Sequence, residues 1–241
     1  MSPTVSSRAL EGLYQRLLSE YGPQGWWPLR SRAGRRGFDG RGYHPGRYAG
    51  PRSTGERFEI AVGAVLTQNT SWRNVEPGLD ALLARRLIDP AAMLECSQRE
   101  LAAHIRSCGY HNQKARKLHV LAGWFGDAAL RRSFARHGRE ELLSLWGIGP
   151  ETADSILLYA YGVPVFVVDA YTIRILFRLG WLQGSELYAE VQRLFLERLP
   201  AESSLFNEYH ALLVRHAKEH CRVRAVCAGC PLARTCPSRG S

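Results

Sequence analysis

The chain has 241 residues, 45% of them hydrophobic, which is enough for one large or two small globular domains with a real core. Lys and Arg outnumber Asp and Glu by 32 to 22, a formal charge of +10 that calls for an anionic partner. With no secretory signal, no apolar run near 18 residues and no basic amphipathic tail to be read, membrane classes are set aside and nucleic acid leads.

Helical periodicity dominates, and no alternating strand pattern competes with it. Leu10, Leu13, Tyr14, Leu17 and Leu18 mark a first helix capped by Ser6 or Ser7. From Arg30 to Gly55 the apolar period is lost; Arg30, Arg32, Arg35, Arg36, Arg41, Arg47 and Arg52 stand among glycines with Phe38, Tyr43 and Tyr48. That stretch reads as a solvated loop or disordered insertion, or as an arm that meets phosphates. Helices are then predicted over Phe58–Leu66, Asn74–Leu87, Gln98–Arg106 and Gln113–Phe125. Further ones follow over Arg139–Leu145, Glu151–Tyr161, Ala170–Leu179, Glu186–Leu199 and Leu205–His220. Val163–Val168 reads as an extended connector, since Pro164 does not suit a central strand. The expected fold is all-α.

Three motifs carry chemistry. Leu145-Trp146-Gly147-Ile148-Gly149-Pro150-Glu151 lies between two amphipathic segments. Gly147 and Gly149 allow positive φ and close backbone approach, Ile148 can anchor the turn, and Pro150 suits the first position of a helix. Such a hairpin presents backbone amides to phosphate; a purely structural corner is the alternative. Eighteen residues after Glu151, Asp169 follows an apolar connector and opens a helix, either as a simple N-cap or as a functional acid. Finally Cys221, Cys227, Cys230 and Cys236 are separated by five, two and five residues. Four thiolates so close together suit one metal centre, and a single compact run fits a four-iron cluster better than zinc. Thiols that must stay reduced imply a cytoplasmic location. Cys96 and Cys108 read as small buried hydrophobes.

Glycine hairpin, Asp169 and cysteine run, in this order, resemble the helix-hairpin-helix DNA glycosylases, specifically the endonuclease III branch, over Phe58 to Cys236. The resemblance implies two helical domains with a DNA-binding cleft between them and a C-terminal [4Fe-4S] loop. It divides the chain into a six-helix domain at 56–163, a discontinuous iron–sulfur domain of 1–29 plus 164–241, and the 30–55 insertion. The implied protein is a nucleoid-associated monomer acting on double-stranded DNA that contains damaged bases. By position, Asp169 matches the catalytic aspartate, Gln68 the residue that fills the gap left by a flipped base, and Tyr110 and His111 the opposing wedge. Lys114 and Lys117 match a DNA-facing helix. The first cysteine gap is one residue shorter than is usual in endonuclease III.

Glu151 departs from the pattern, because the bifunctional members carry there the lysine that forms a Schiff base. A carboxylate forms no imine, so the departure implies a monofunctional glycosylase. Leu66-Thr67-Gln68-Asn69-Thr70 with Trp72, and Gly25-Trp26-Trp27-Pro28, are similar to the 3-methyladenine glycosylase group. Trp26, Trp27 and Trp72 would then form a pocket for a cationic alkylated purine. The alternatives are oxidised pyrimidines, mismatched uracil or thymine, or a catalytically inactive binder of damaged DNA.

Overall fold

The computed structural model describes residues 5–51, 53–127 and 138–240; Arg52 of the arginine-rich segment lies outside them. Among the described residues every regular element is helical. The helices are α1 (Ser7–Tyr21), α2 (Thr54–Leu66), α3 (Trp72–Ala84), α4 (Pro90–Glu95), α5 (Gln98–His104) and α6 (His111–Gly126). There follow α7 over 138–144, α8 (Pro150–Ser155) with a π-helical turn at Ile156–Ala160, α9 (Ala170–Arg178), α10 (Tyr188–Leu196) and α11 (Ser203–Glu219). Helix starts are fixed by local chemistry. Ser6, Ser53, Asp89, Ser97 and Asp169 each accept a backbone N–H of the following turn, and Ser97 with Glu100 forms a capping box. Short α4, which the periodicity missed, owes its start to Asp89 followed by Pro90.

The chain divides into two compact units. One comprises Met1–Trp26, Pro45–Tyr48 and Pro164–Ser241 over their described residues. Here α11 packs against α1 and α9. Phe166 stacks on Phe195 with centroids 3.6 Å apart, Phe206 and Tyr209 meet Phe166 edge-on, and the Tyr209 hydroxyl donates to Leu10 O at 2.8 Å.

The other unit, Trp27–His44 with Ala49–Val163, is built round α2, buried almost along its length and packed on α6, α3, α8 and the π turn. The π turn directs Tyr159 onto the Trp27 ring at 5.1 Å, while Tyr161 takes the Arg57 guanidinium over its face at 5.4 Å. α7 and α8 are joined by a bidentate ion pair: Arg139 Nε and Nη2 donate to the Asp154 carboxylate at 2.7 and 3.1 Å.

The arginine-rich segment has little regular structure, as its composition requires, yet it is tied down. Arg30 grips Asp80 at 2.9 and 3.0 Å, Arg41 grips Glu76 at 2.9 Å through both nitrogens, and Arg32 donates to Glu56 at 2.6 Å. Leu29 N donates to Gly42 O at 3.0 Å, and a Cβ on Gly42 would collide with the Leu29 backbone. The expectation of a disordered insertion is therefore corrected for this part: carboxylates on α2 and α3 neutralise three of its arginines. Tyr48 belongs to the first unit, where its hydroxyl donates to Glu208 Oε2 at 2.6 Å.

Asp154 is fully buried and Arg139 partly exposed, so Arg139→Ala takes a bidentate charged partner from a buried carboxylate between the two helices of the hairpin. Urea unfolding should show a loss of about 2–3 kcal/mol, below the range for a fully buried pair because the guanidinium is part-solvated.

Candidate nucleic-acid interface and acidic site

The turn joining α7 to α8 uses its residues unequally. Gly147 has φ +82, and a Cβ there would meet the aliphatic stem of Lys117 at 2.5 Å. Gly149 is extended, with φ −97 and ψ 177, and a Cβ there would meet nothing within 4 Å. Positive φ was expected of both glycines and holds only for the first, because Gly149 serves as the N-cap of α8. Ile148 is buried beneath the turn, and Pro150 opens the helix as expected. Glu151 is exposed in the first turn of α8.

Gln68 lies against this hairpin. Its Nε2 donates to Gly147 O at 3.1 Å and to Thr152 Oγ1 at 2.9 Å, while its Oε1 accepts from Lys117 Nζ at 2.5 Å. The amide is thus retracted onto the turn, and three contacts must be exchanged for it to reach outward.

Lys114 corrects a sequence expectation. It does not face solvent: the residue is 1% exposed, and Nζ donates to Leu66 O at 2.9 Å and to Cys108 O at 2.8 Å. Burial lowers its pKa, opposed by Cys108 and assisted by Lys117. Leu66 leads into the loop of Gln68 and Cys108 into the loop of Tyr110, so one ammonium holds both. Each loop carries a non-glycine residue in left-handed conformation, Asn69 at φ +53 and Tyr110 at φ +47. Tyr110 projects with 67% of its surface exposed, and His111, part-exposed, begins α6 behind it.

A further pair carried no signal in the sequence. Arg116 on α6 lies 4.0 Å over the indole of Trp146, which is 44% exposed immediately before Gly147. A guanidinium laid over an exposed ring next to a glycine turn makes a rigid cationic surface.

In the other unit Asp169 caps α9. Its Oδ1 accepts from Thr172 N at 2.7 Å and Thr172 Oγ1 at 2.8 Å, and its Oδ2 lies 3.6 Å from His210 Nε2 on α11. Burial pushes the carboxyl pKa up, but the His210 imidazole and the Thr172 donors outweigh it and hold the group below its ordinary value. The cap and the candidate acid are one residue. His210 borders the Trp26 ring edge-on at 5.7 Å, and Trp26 O accepts from Asn207 Nδ2 at 2.9 Å.

The three tryptophans of the expected pocket part company. Trp26 is part-exposed beside His210. Trp27 is a core residue, seated in the notch that Gly63 leaves on α2 and covered by Trp72 and Tyr159 at 5.4 and 5.1 Å. Trp72, part-exposed, packs edge-on against it, so Trp27 is too covered to line a pocket while Trp26 and Trp72 keep exposed surface.

All four C-terminal cysteines line one cavity with His216 and Arg178. Arg178 Nη1 lies 3.3 Å from Cys221 Sγ, and its other donations go to Arg222 O at 2.6 Å and Val223 O at 2.8 Å. Burial raises the Cys230 thiol pKa against the lowering influence of the Leu232 backbone, and the charges of the neighbouring Cys227, Cys221 and Cys236 raise it further. Among the described residues no three His, Cys, Asp or Glu side chains converge as closely as a single metal ion requires. Cys108 is buried as expected, whereas Cys96 is part-exposed.

Residues 62–201 match the model of the HhH-GPD superfamily base excision DNA repair proteins. The chain belongs to this superfamily. Among its HhH-GPD relatives is a protein of Methanocaldococcus jannaschii provisionally named a DNA repair glycosylase, MJ1434, 36% identical over 234 residues that cover 94% of this chain and 95% of the other. Endonuclease III of Bacillus subtilis is 29% identical, over 74% of this chain and 80% of its own. Of solved structures, the H. pylori 3-methyladenine DNA glycosylase MagIII bound to 1,N6-ethenoadenine superposes with a TM-score of 0.68 at 28% identity, covering 89% of this chain and 98% of that one. An endonuclease III–DNA complex shares the fold, with a TM-score of 0.70 at 19% identity over 97% and 96% of the two chains.

The Arg116–Trp146 pair yields a measurable expectation for this HhH-GPD protein. Plotting log affinity for duplex DNA against log salt, Arg116→Ala should reduce the slope by about 0.9, the value of one phosphate contact. Trp146→Ala, which removes the support of the guanidinium, should weaken binding with a smaller change of slope.

Proposed function

We propose that the protein is a monofunctional DNA glycosylase that hydrolyses the N-glycosidic bond of a flipped alkylated purine, such as 3-methyladenine, and leaves an abasic site. The observation that carries this reading is the distribution of amines and carboxylates. Glu151 stands in the first turn of α8, where a bifunctional enzyme needs an amine, and the lysines nearest in sequence are committed: Lys114 to two buried carbonyls, Lys117 to Gln68. Asp169 is meanwhile held ionised.

Breaking the bond builds positive charge on the deoxyribose. Asp169 stabilises that charge and takes the proton of the attacking water. The hairpin Gly147–Ile148–Gly149 with Arg116 grips the backbone, Gln68 leaves its hydrogen bonds to fill the vacated stack, and Tyr110 with His111 wedges the opposite strand. A base bearing positive charge needs little leaving-group assistance and is attracted to an aromatic face, the part given to Trp26. The likeness to the MagIII glycosylase supports the choice of an alkylpurine.

We further propose that Cys221, Cys227, Cys230 and Cys236 hold a [4Fe-4S] cluster. Their shared cavity, with all four sulfurs acting on one another, suits such a group, whose bound form would supply structural bracing. Arg178 would keep the Arg222–Val223 strand of that loop in place.

Single-lesion duplexes carrying 3-methyladenine, ethenoadenine, oxidised pyrimidines and mismatched uracil or thymine test the reaction. Strand scission should follow only after alkali, borohydride should trap no covalent complex, and Asp169→Asn should abolish release while sparing affinity for an abasic-site duplex. Because the Asp169 pKa is depressed, its carboxylate stays charged as pH falls past the ordinary aspartate value, so the rate should hold down to a pH of about 4, where an ordinary aspartate is half protonated. Efficient borohydride trapping would refute the monofunctional assignment.

The cluster has its own test. Protein purified anaerobically should be brown, absorb at roughly 400 nm and contain about four irons per chain, all lost in Cys227→Ala. One zinc per colourless chain would overturn it.

A further inference from the structure

The two oxygens of Asp169 are not equivalent. Oδ1 is saturated by two short donations from Thr172, at 2.7 and 2.8 Å, so it is spent on starting α9. An oxygen that takes a proton or faces a developing cation needs an available lone pair, and Oδ2 has one. Its neighbour is His210 Nε2 at 3.6 Å, a separation that favours and orients the anion without occupying it as a full hydrogen bond would.

His210 comes from a different helix, and that helix is fixed by the three residues before it. Asn207 holds Trp26 O at 2.9 Å, Glu208 accepts from Gln24 N and the Tyr48 hydroxyl at 2.6 Å each, and Tyr209 donates to Leu10 O at 2.8 Å. With its backbone held on three sides and only 4% of its surface exposed, the imidazole has little freedom. One ring therefore abuts Oδ2 through Nε2 and the Trp26 indole at 5.7 Å.

We propose that Oδ2 is the working oxygen of Asp169 and that His210 is its positioning residue, setting both the carboxylate and the Trp26 ring that meets the base. The inference rests on the glycosylase reading for its kinetic consequence, and on the geometry alone for the contact. In the reaction Oδ2 accepts the proton of water as the oxygen bonds to the sugar carbon and the base departs with the electron pair of the broken bond; His210 is unchanged throughout.

His210→Phe keeps a ring against Trp26 and removes Nε2, whereas His210→Gln restores a donor without the ring. Single-turnover base release should fall roughly 10- to 100-fold in the phenylalanine variant, the usual effect of removing a residue that orients a reacting group, and recover in part in the glutamine variant. Affinity for an abasic-site duplex should be unchanged in both. Equal rates in His210→Phe and the unmodified protein would overturn the proposal, since the ring would then merely fill space, as would equal impairment of both variants, since restoring a donor would then do nothing. A readout independent of turnover is the Nε2 resonance of His210, which should move in Asp169→Asn; an unmoved resonance overturns the contact. If the unmodified protein releases no base while that resonance moves, the glycosylase reading fails and the pairing stands.

Discussion

The two loops of the larger unit that the proposed function sets against DNA depend on a charge buried away from solvent. Lys114 places an ammonium between Leu66 O and Cys108 O, where no water competes for it. The stems of two loops thereby share one donor, and each loop ends in a residue held in a sparsely populated backbone region. Such conformations persist only where their surroundings over-determine them. A buried cation with two carbonyl acceptors provides that determination, and α6, which carries it, also supplies Lys117 to Gln68 and Arg116 to Trp146.

Basicity is consequently a poor map of the interface. Arg30, Arg32 and Arg41 are consumed by carboxylates of α2 and α3, Arg139 by Asp154 and Arg178 by backbone carbonyls of the cysteine loop. These groups set geometry, a task suited to the planar guanidinium because it offers several donors in fixed directions. Arg116 differs in being laid on an exposed ring.

Much of this was legible in the sequence, for identifiable reasons. The long amphipathic helices, the Gly-Ile-Gly-Pro corner and the cysteine run announce themselves through period and spacing, and the structure follows them in Ile148 and Pro150. What escaped were properties of contact. Lys114 and Lys117 lie three residues apart on one helix, yet one is buried and the other reaches Gln68, since each meets a different neighbour. His210 looks like any residue of an amphipathic helix until α9 brings Asp169 opposite it. Trp26 and Trp27 are adjacent, and only the notch at Gly63 decides that the second belongs to the core. The identical loss of periodicity in a disordered arm and in an ion-paired strap hid the partners of Arg30 and Arg41.

The π turn at Ile156–Ala160 shows how length, as distinct from composition, is constrained here. It accommodates one more residue than the α repeat around it, with Tyr159 inside the turn packed on Trp27 and Tyr161 just beyond it facing Arg57. Shortening this stretch by one position would return it to the α repeat and shift the side chains of the turn itself, Tyr159 among them, off their present partners. Insertions and deletions here would thus be far less tolerated than exchanges among its apolar side chains, an asymmetry that substitution data alone would not reveal.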